Sequence, residues 1–393
     1  MLTGILTWLI AQFCVQFSAA QTQPVLANNI NATLFSSLPT ANDADVTDGT
    51  TKIIRFDAAP ANPNVQVAAV AGEHNVSGTG GMNYSIPIQI PAGTNGMQPN
   101  LQVSYNSQSG NGLMGQGWSF SGLSAIARVN KDVAHDAWAG PIKLDANDAL
   151  ALDGNRLMLT SGVYGAVNST YATENEIFSI IILKGGALDN AASYFEVVTK
   201  SGMTIEYGKA NNAAFMSNDG TKPLFWRINK TIDPFGNYIT YNYTPTFGTG
   251  SDREGKLLSI DYTGNSTASP AITPYQRITF SYTTRTIDPI KAYIAGSSIE
   301  SNSLLTAVTI NDLSGATVTP FHVYEFIYAS VGSSNLNTYN TNYQLKYVRE
   351  QVWGKKDIAA GDVWNRLLEI IREVLGIGRS KVLQRLIAAS AVA

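Results

Sequence analysis

The chain has 393 residues, a net charge of −3 and 14% charged residues, against roughly 25% in an average globular protein. Its 18 tyrosines and 34 glycines favour strands and turns over helices. A mildly acidic balance with no basic tract argues against nucleic acid as a partner, and a single cysteine excludes an intrachain disulfide.

In chain order, the first feature is the apolar run of residues 5–17, too short to span a membrane. Ser18, Ala19 and Ala20 follow it, so residues 1–20 are expected to be a secretory signal peptide cut after Ala20, and the protein to be extracellular. No Lys or Arg precedes the apolar run. Cys14 lies inside it, which leaves the mature chain without thiolate catalysis or cysteine-bound zinc. Residues 21–79 are read as a flexible lead-in. Its first part, 21–51, is rich in Asn, Ala, Thr and Ser and has little periodicity.

Short period-two runs then recur between turn signals, at 84–90, 101–105, 156–159, 177–183, 194–199 and 203–207. They continue at 224–232, 238–243, 257–262, 277–282, 305–310 and 321–328. Such runs predict an all-β architecture of many short antiparallel strands, and their lack of alternation with helices excludes a doubly wound α/β fold. Asp153-Gly154, Ser201-Gly202 and Gly236-Asn237 are expected hairpin turns. Pro87 and Pro91 cannot donate to a ladder, so the run at 84–90 is expected to be an edge or bulged strand.

The end of the chain changes character. Trp364, Leu367, Leu368, Ile371, Val374 and Leu375 fall at helical spacing, with Gly376 and Gly378 interrupting. Residues 357–393 are read as an amphipathic helical tail. Arg366, Arg372, Arg379, Lys381 and Arg385 suit a membrane surface or a partner. The abruptness of the change favours instead a tail made by truncation or frameshift.

The stretch QPNLQVSYNSQSGNGLMGQGWSFSG, residues 98–122, sets the main problem. Gly110, Gly112 and Gly115 fit G-x-G-x-x-G, but a dinucleotide site needs that pattern to open a helix. Here another strand-like run follows, so the glycines are read as a sharp turn or a close backbone approach. Trp118 and Phe120 are expected to point inward beside Leu123.

Residues 80–128, GGMNYSIPIQIPAGTNGMQPNLQVSYNSQSGNGLMGQGWSFSGLSAIAR, resemble the signature of the SpvB-type N-terminal module. That family covers the N-terminal part of the Salmonella virulence-plasmid B protein and of insecticidal toxin-complex B components, and is related to RHS/YD-repeat shell proteins. The segments LDANDALALDGNRLML, SYFEVVTKSGMTIEYGK and WRINKTIDPFGNYITYNY extend the similarity, which runs from about Gly80 to Trp353. The module is accordingly set at residues 80–356. The resemblance implies a secreted scaffold that builds part of a β-shell around a toxin. Its partners are then the remaining shell chain or the encapsulated polypeptide, and it brings no catalytic residue, cofactor or metal. Tyr84, Pro91, Gly96, Pro99, Tyr105, Gly112, Gly117 and Trp118 are the signature positions, with a structural role.

Enzymatic alternatives are thinner. Glu174 and Glu176 form a Glu-x-Glu pair of the kind ADP-ribosyltransferases use, and on a strand they share one face. No Ser-Thr-Ser strand accompanies them, and a solvated strand edge is the preferred reading. His74, His135 and His322 show no metal-ligand spacing, and no G-x-S-x-G elbow supports a triad. Asp145, Asp148 and Asp153 do not follow a calcium-loop pattern; Asp153 is read as a turn residue and Asn218 to Gly220 as a loop tip. Tyr238, Tyr241, Tyr243, Tyr282 and Tyr328 suit either cross-strand pairing or the stacking of sugars. A glycan-binding or adhesin module is therefore the second functional hypothesis.

Overall fold

The computed structural model describes residues 72–249, 251–315, 317–329, 342–352 and 364–369. The expected signal peptide lies outside them, as does most of the lead-in. The regular structure described is all strand, joined by turns and loops, apart from one helical turn at Val133–Asp136 and a 3-10 turn at Thr94–Gly96.

A small antiparallel sheet comes first. It contains β1 (Glu73–Val76), β2 (Met82–Pro87), β3 (Gln102–Asn106) and, beyond a two-rung hairpin of β4 (Asn111–Gly112) and β5 (Gly115–Gln116), β6 (Trp118–Ser121). Two expectations need correcting here. The stretch 21–79 is not a lead-in throughout, because β1 falls within it and pairs with β2 from Glu73↔Ser85 to Val76↔Met82. All four β1 residues are exposed, so no buried face marked the strand in the sequence. Nor is the run at 84–90 an edge, since β2 lies between β1 and β3. Pro87 is tolerated because it stands past the last described rung with β1, Glu73↔Ser85.

Eight strands then close a barrel. They are β7 (Ala125–Val129), β8 (Ala149–Leu152), β9 (Asn155–Ser161), β10 (Thr170–Thr173), β11 (Ile180–Lys184), β12 (Tyr194–Val198), β13 (Thr204–Tyr207) and β15 (Pro223–Ile232), with β15 pairing to both β13 and β7. Between β8 and β9 the expected two-residue turn is present, with positive φ at Asp153 and Gly154. The barrel interior is filled by the alternate residues of its strands, Ile181 and Leu183, then Phe195 and Val197, all at 2% exposure or less. Trp226 is wholly buried, sits edge-on to Phe195 at 4.9 Å and donates its indole N–H to the Ser193 carbonyl at 2.8 Å.

The barrel also buries a cation. Arg128 bonds Asp148 at 2.9 Å and the carbonyls of Pro223, Asp145 and Leu188, and stacks over Trp226 at 5.4 Å. Burial pulls its guanidinium below the usual range and Asp148 opposes that pull. Every described polar arm of the arginine thus meets an acceptor, which is the condition for a charge to sit in such a core.

From β15 a second, open sheet runs on. It passes through β16 (Asn237–Tyr243), β17 (Leu257–Asn265), β18 (Gln276–Thr284), β21 (Ser303–Asp312), β22 (Thr319–Ala329), β23 (Gln344–Val352) and β24 (Trp364–Glu369), all antiparallel. β19 (Ile290–Ile294) and β20 (Ser297–Ser301) form a hairpin between β18 and β21, and β14 (Ala214–Met216) pairs with β15. Each of the twelve runs picked out by alternation overlaps a strand, although residues 88–90 and 177–179 lie outside one. The predicted helical tail does not hold where it is described: β24 pairs with β23 from Tyr347↔Glu369 to Val352↔Trp364. A free sheet edge offers that backbone a full ladder, whereas a lone short helix is marginal in water. The rest of the tail lies outside the described residues.

Candidate functional site

The feature that organises the molecule is the place where β15 leaves the barrel for the open sheet. With ten residues, PLFWRINKTI, β15 is long enough to serve four neighbours. Phe225–Arg227 pair with β7, Ala214–Met216 run beside the same half, and the second half pairs with β13 and β16. Arg227 donates its N–H toward Ala213 while Ile228 donates toward Ser124, so the two edges alternate residue by residue. Seven of the ten residues are buried in succession, from Pro223 to Asn229, because both faces are covered.

The glycine-rich stretch is built against this junction. Its hairpin, β4 and β5, reaches across to the far loops of the open sheet. Asn111 donates to Asp288 Oδ2 at 2.9 Å across 177 positions of sequence. The same Asp288 oxygen accepts the Tyr343 N–H at 2.8 Å. Arg285, with a side chain wholly out of solvent, donates to the Gly112 carbonyl. Gln116 N–H donates to the Tyr343 carbonyl at 2.9 Å, Asn342 to Gln116 Oε1 at 2.8 Å, and Leu305 N–H to the Leu113 carbonyl at 3.2 Å. Burial lowers the pKa of Arg285, against the pull of Asp288. This is a clasp, and it requires glycine. Gly115 has φ +82°, and a Cβ there would lie 2.4 Å from the Tyr343 carbonyl oxygen. Gly117 has φ +78° and lies so close to the Tyr105 ring that a Cβ would stand 2.6 Å from it.

A second tie comes from the connection between β2 and β3. Gln89 N–H donates to the Tyr324 hydroxyl at 3.0 Å, Tyr262 donates to the Pro91 carbonyl at 3.2 Å, and Asn95 donates to Asp233 at 3.2 Å. These bonds strap residues 89–95 across β22, β17 and the β15–β16 turn. Phe120 meets Phe280 edge-on at 5.4 Å and joins the small sheet to the open one.

The eight signature positions fall on these ties or beside them. Tyr84 pairs across the ladder with Tyr105, whose ring lies 5.1 Å from that of Trp118. Trp118 is 6% exposed, and Pro99 and Gly112 are buried. Pro91 is in the strap, and Gly96 closes its 3-10 turn with φ +75°. Sequence reasoning missed Arg285, Asp288 and Tyr343. Only proximity makes them members of the clasp, and nothing in their local sequence signals a partner so far away in the chain.

The chemical alternatives take different places. Glu174 and Glu176 are on the loop after β10, not on a strand. Glu174 bonds His135 Nε2 at 2.9 Å, and Glu176 accepts the Phe178 N–H at 2.5 Å. His135 also meets Asp132 at 2.7 Å through Nδ1, and these two carboxylates raise its pKa. His322 is buried against Glu350 at 2.6 Å and stacked on Tyr324; His74 is on β1. Asp145 and Asp148 serve Arg128, and Asp219 caps its own turn through Ser217 and Thr221. Asp153 does more than turn the chain. It accepts from Ser124 at 2.6 Å and from the Ala125 N–H, and burial pushes its pKa up to about 6. Among the described residues no group of three His, Cys, Asp or Glu side chains is placed to hold a metal, and no helix is long and apolar enough to cross a membrane. Tyr241 and Tyr243 are buried, and Tyr243, Tyr282 and Tyr328 donate their hydroxyls to strand carbonyls. Lys230 lies over the Tyr238 ring at 4.7 Å. These rings stiffen the sheet and form no exposed platform.

The family model for the Salmonella virulence plasmid 65kDa B protein matches residues 76–285, more than half of the chain. The chain belongs to that family. The mono(ADP-ribosyl)transferase SpvB of Salmonella typhimurium is 24% identical, over 54% of this chain and 42% of the relative, so the match takes in less than half of that curated protein. The solved N-terminal domain of the effector SpvB from Salmonella typhimurium strain LT2 has TM-score 0.52 at 18% identity and covers 68% of this chain and 99% of that domain. The crystal structure of TcdB2-TccC3 has TM-score 0.58 at 16% identity and covers 76% of this chain and 16% of the other. These likenesses place the fold with the SpvB N-terminal domain and with a segment of a toxin complex.

Proposed function

We propose that the protein is a secreted, non-enzymatic wall module that contributes to a β-shell enclosing a toxin polypeptide, with the remaining shell chain as its partner. The observation that carries this reading is the open sheet. It adds strand after strand in nearly sequential order from β15 to β24, it is anchored at one end by a closed barrel, and it is held by the clasp and the strap. Such a sheet extends by adding further strands, and an edge of this kind seeks pairing. The membership of residues 76–285 in the family supports it. The paired glutamates support the non-enzymatic part, because both lie outside any strand and are engaged by protein, Glu174 by His135 and Glu176 by the Phe178 N–H.

The test is co-expression with a toxin-complex shell chain that lacks its own N-terminal module and carries a C-terminal toxin polypeptide. Co-purification, with the polypeptide protected from added protease, is the expected result. A soluble monomer by light scattering that leaves the polypeptide cleavable overturns the proposal. NAD is expected to survive incubation with the purified protein; hydrolysis that disappears in Glu176→Gln would refute the non-enzymatic reading. Finding the chain in the culture medium checks secretion.

A further inference from the structure

Behind the clasp lies a cavity of about 100 Å³. Its apolar wall is drawn from every part of the molecule: Leu113 from the clasp, Phe120 from β6, Leu257 and Phe280 from the open sheet, Ile290 from the β19–β20 hairpin and Leu305 from β21. Charged and phenolic groups also line it, and their state decides what the cavity can take.

Each of those groups is already spent on protein. Arg227 donates to the carbonyls of Ala213, Gly255 and Asn212, and its guanidinium stacks on Tyr243 at 4.0 Å. Lys256 is held by Asp252 at 2.8 Å and Glu254 at 3.0 Å. Glu254 further accepts from Ser303 at 2.7 Å and from the Asn302 N–H. Tyr243 and Tyr282 give their hydroxyls to the Ile228 and Leu257 carbonyls. Ser124 bonds Asp153 and Tyr207. The buried side-chain atoms that lack a partner belong to Asn111, Asn130, Ser251, Gln276, Arg285 and Asp288, and none of these residues lines the cavity.

With its charged and phenolic groups engaged by protein and a wall that is mostly aromatic and aliphatic, the lining offers little to a charged ligand. Mostly apolar cavities take compact apolar molecules; an engineered example of about 150 Å³ in another protein binds benzene. We infer that the cavity is a binding site for a small, uncharged, apolar molecule of up to about benzene size, recognised by shape and dispersion contacts alone. Because its walls come from the clasp, the small sheet and the open sheet together, an occupant binds only the assembled junction. It therefore stabilises the assembled state by mass action. This inference is independent of the shell reading.

Titration of the methyl-labelled full chain with benzene tests it. Saturable shifts are expected at the Leu113, Leu257, Ile290 and Leu305 methyls and not at Leu150 or Leu183 in the barrel, with a rise in Tm. Leu113→Trp, which fills the space from the clasp side and keeps the backbone bond to Leu305, is expected to weaken binding at least tenfold. Should that variant fail to fold, crystals of the native chain under xenon pressure give the same answer, with density expected between Phe120, Phe280 and Leu305. Absence of both saturation and xenon density overturns the site, as does unchanged benzene affinity in a folded Leu113→Trp.

Discussion

The barrel and the open sheet use the same kind of strand and solve opposite problems. The barrel closes its ladder on itself through β15, so its strands have neighbours on both sides, and it packs aromatic rings and one paired arginine inside. Among the described residues the open sheet has no such closure, and it is held from outside by the strap at 89–95 and the clasp at Asn111–Gln116. Closure makes stability local, whereas an open wall must borrow it from distant chain. Both holds come from residues 80–128, within the stretch that the family model matches.

Four experiments break or sharpen that contrast. The largest effect is expected from Trp226→Ala, because β15 belongs to both regions. Loss of a fully buried indole should cost about 3–5 kcal/mol and lower barrel and open sheet together in one transition. Denaturant unfolding followed by near-UV dichroism and hydrogen exchange reads this, and an intact barrel in the variant would deny β15 its shared role. Gly115→Ala should separate the regions. The left-handed backbone and the contact with Tyr343 together cost about 2–3 kcal/mol. Exchange protection is expected to fall in β21 to β23 while β9 to β12 keep theirs; equal loss everywhere would argue against a clasp.

Asp153 tests the barrel alone. Its carboxyl is pushed up to about 6 by burial, above the roughly 3.9 of an unfolded chain. The folded state therefore holds more protons between those values, and the contribution of Asp153 falls as pH rises from about 4 to about 6, by an order of 2–3 kcal/mol. The stability difference between the native chain and Asp153→Asn, followed by urea midpoints across that window, should show this slope; a flat difference would count against it. The smallest effect is expected at exposed His135, whose raised pKa comes from Glu174 and Asp132. Its contribution is present below about pH 6.5 and is lost as pH rises through the higher folded value. In His135→Gln, the protection of the Val133–Asp136 turn relative to intrinsic exchange should no longer change with pH across that range, with no change in the open sheet.

Alternation alone made the strands legible, because a residue facing a packed layer every second position leaves a mark in any window of six. It located the runs at 194–199 and 238–243 with little error. It failed where that mark is missing or misleading. β1 is exposed on every residue. The apolar spacing around Trp364 fits a helix as well as any pattern so short, yet the backbone there pairs with β23. Asp153 was legible as a turn residue and not as a buried acid, since a turn is local and burial depends on Ser124 and Tyr207 arriving from elsewhere.

Composition and short-range pattern thus determined that this chain is built of antiparallel strands, where most of them lie, and that its glycine-rich stretch turns back instead of opening a helix. Tertiary structure alone decided that β15 is shared, that eight strands close while the rest stay open, and that Gly115 exists to let the Tyr343 carbonyl approach. The reason is physical. A strand records in its own residues which face is buried, but the choice of neighbour along its edge is made by backbone groups that are the same in every residue.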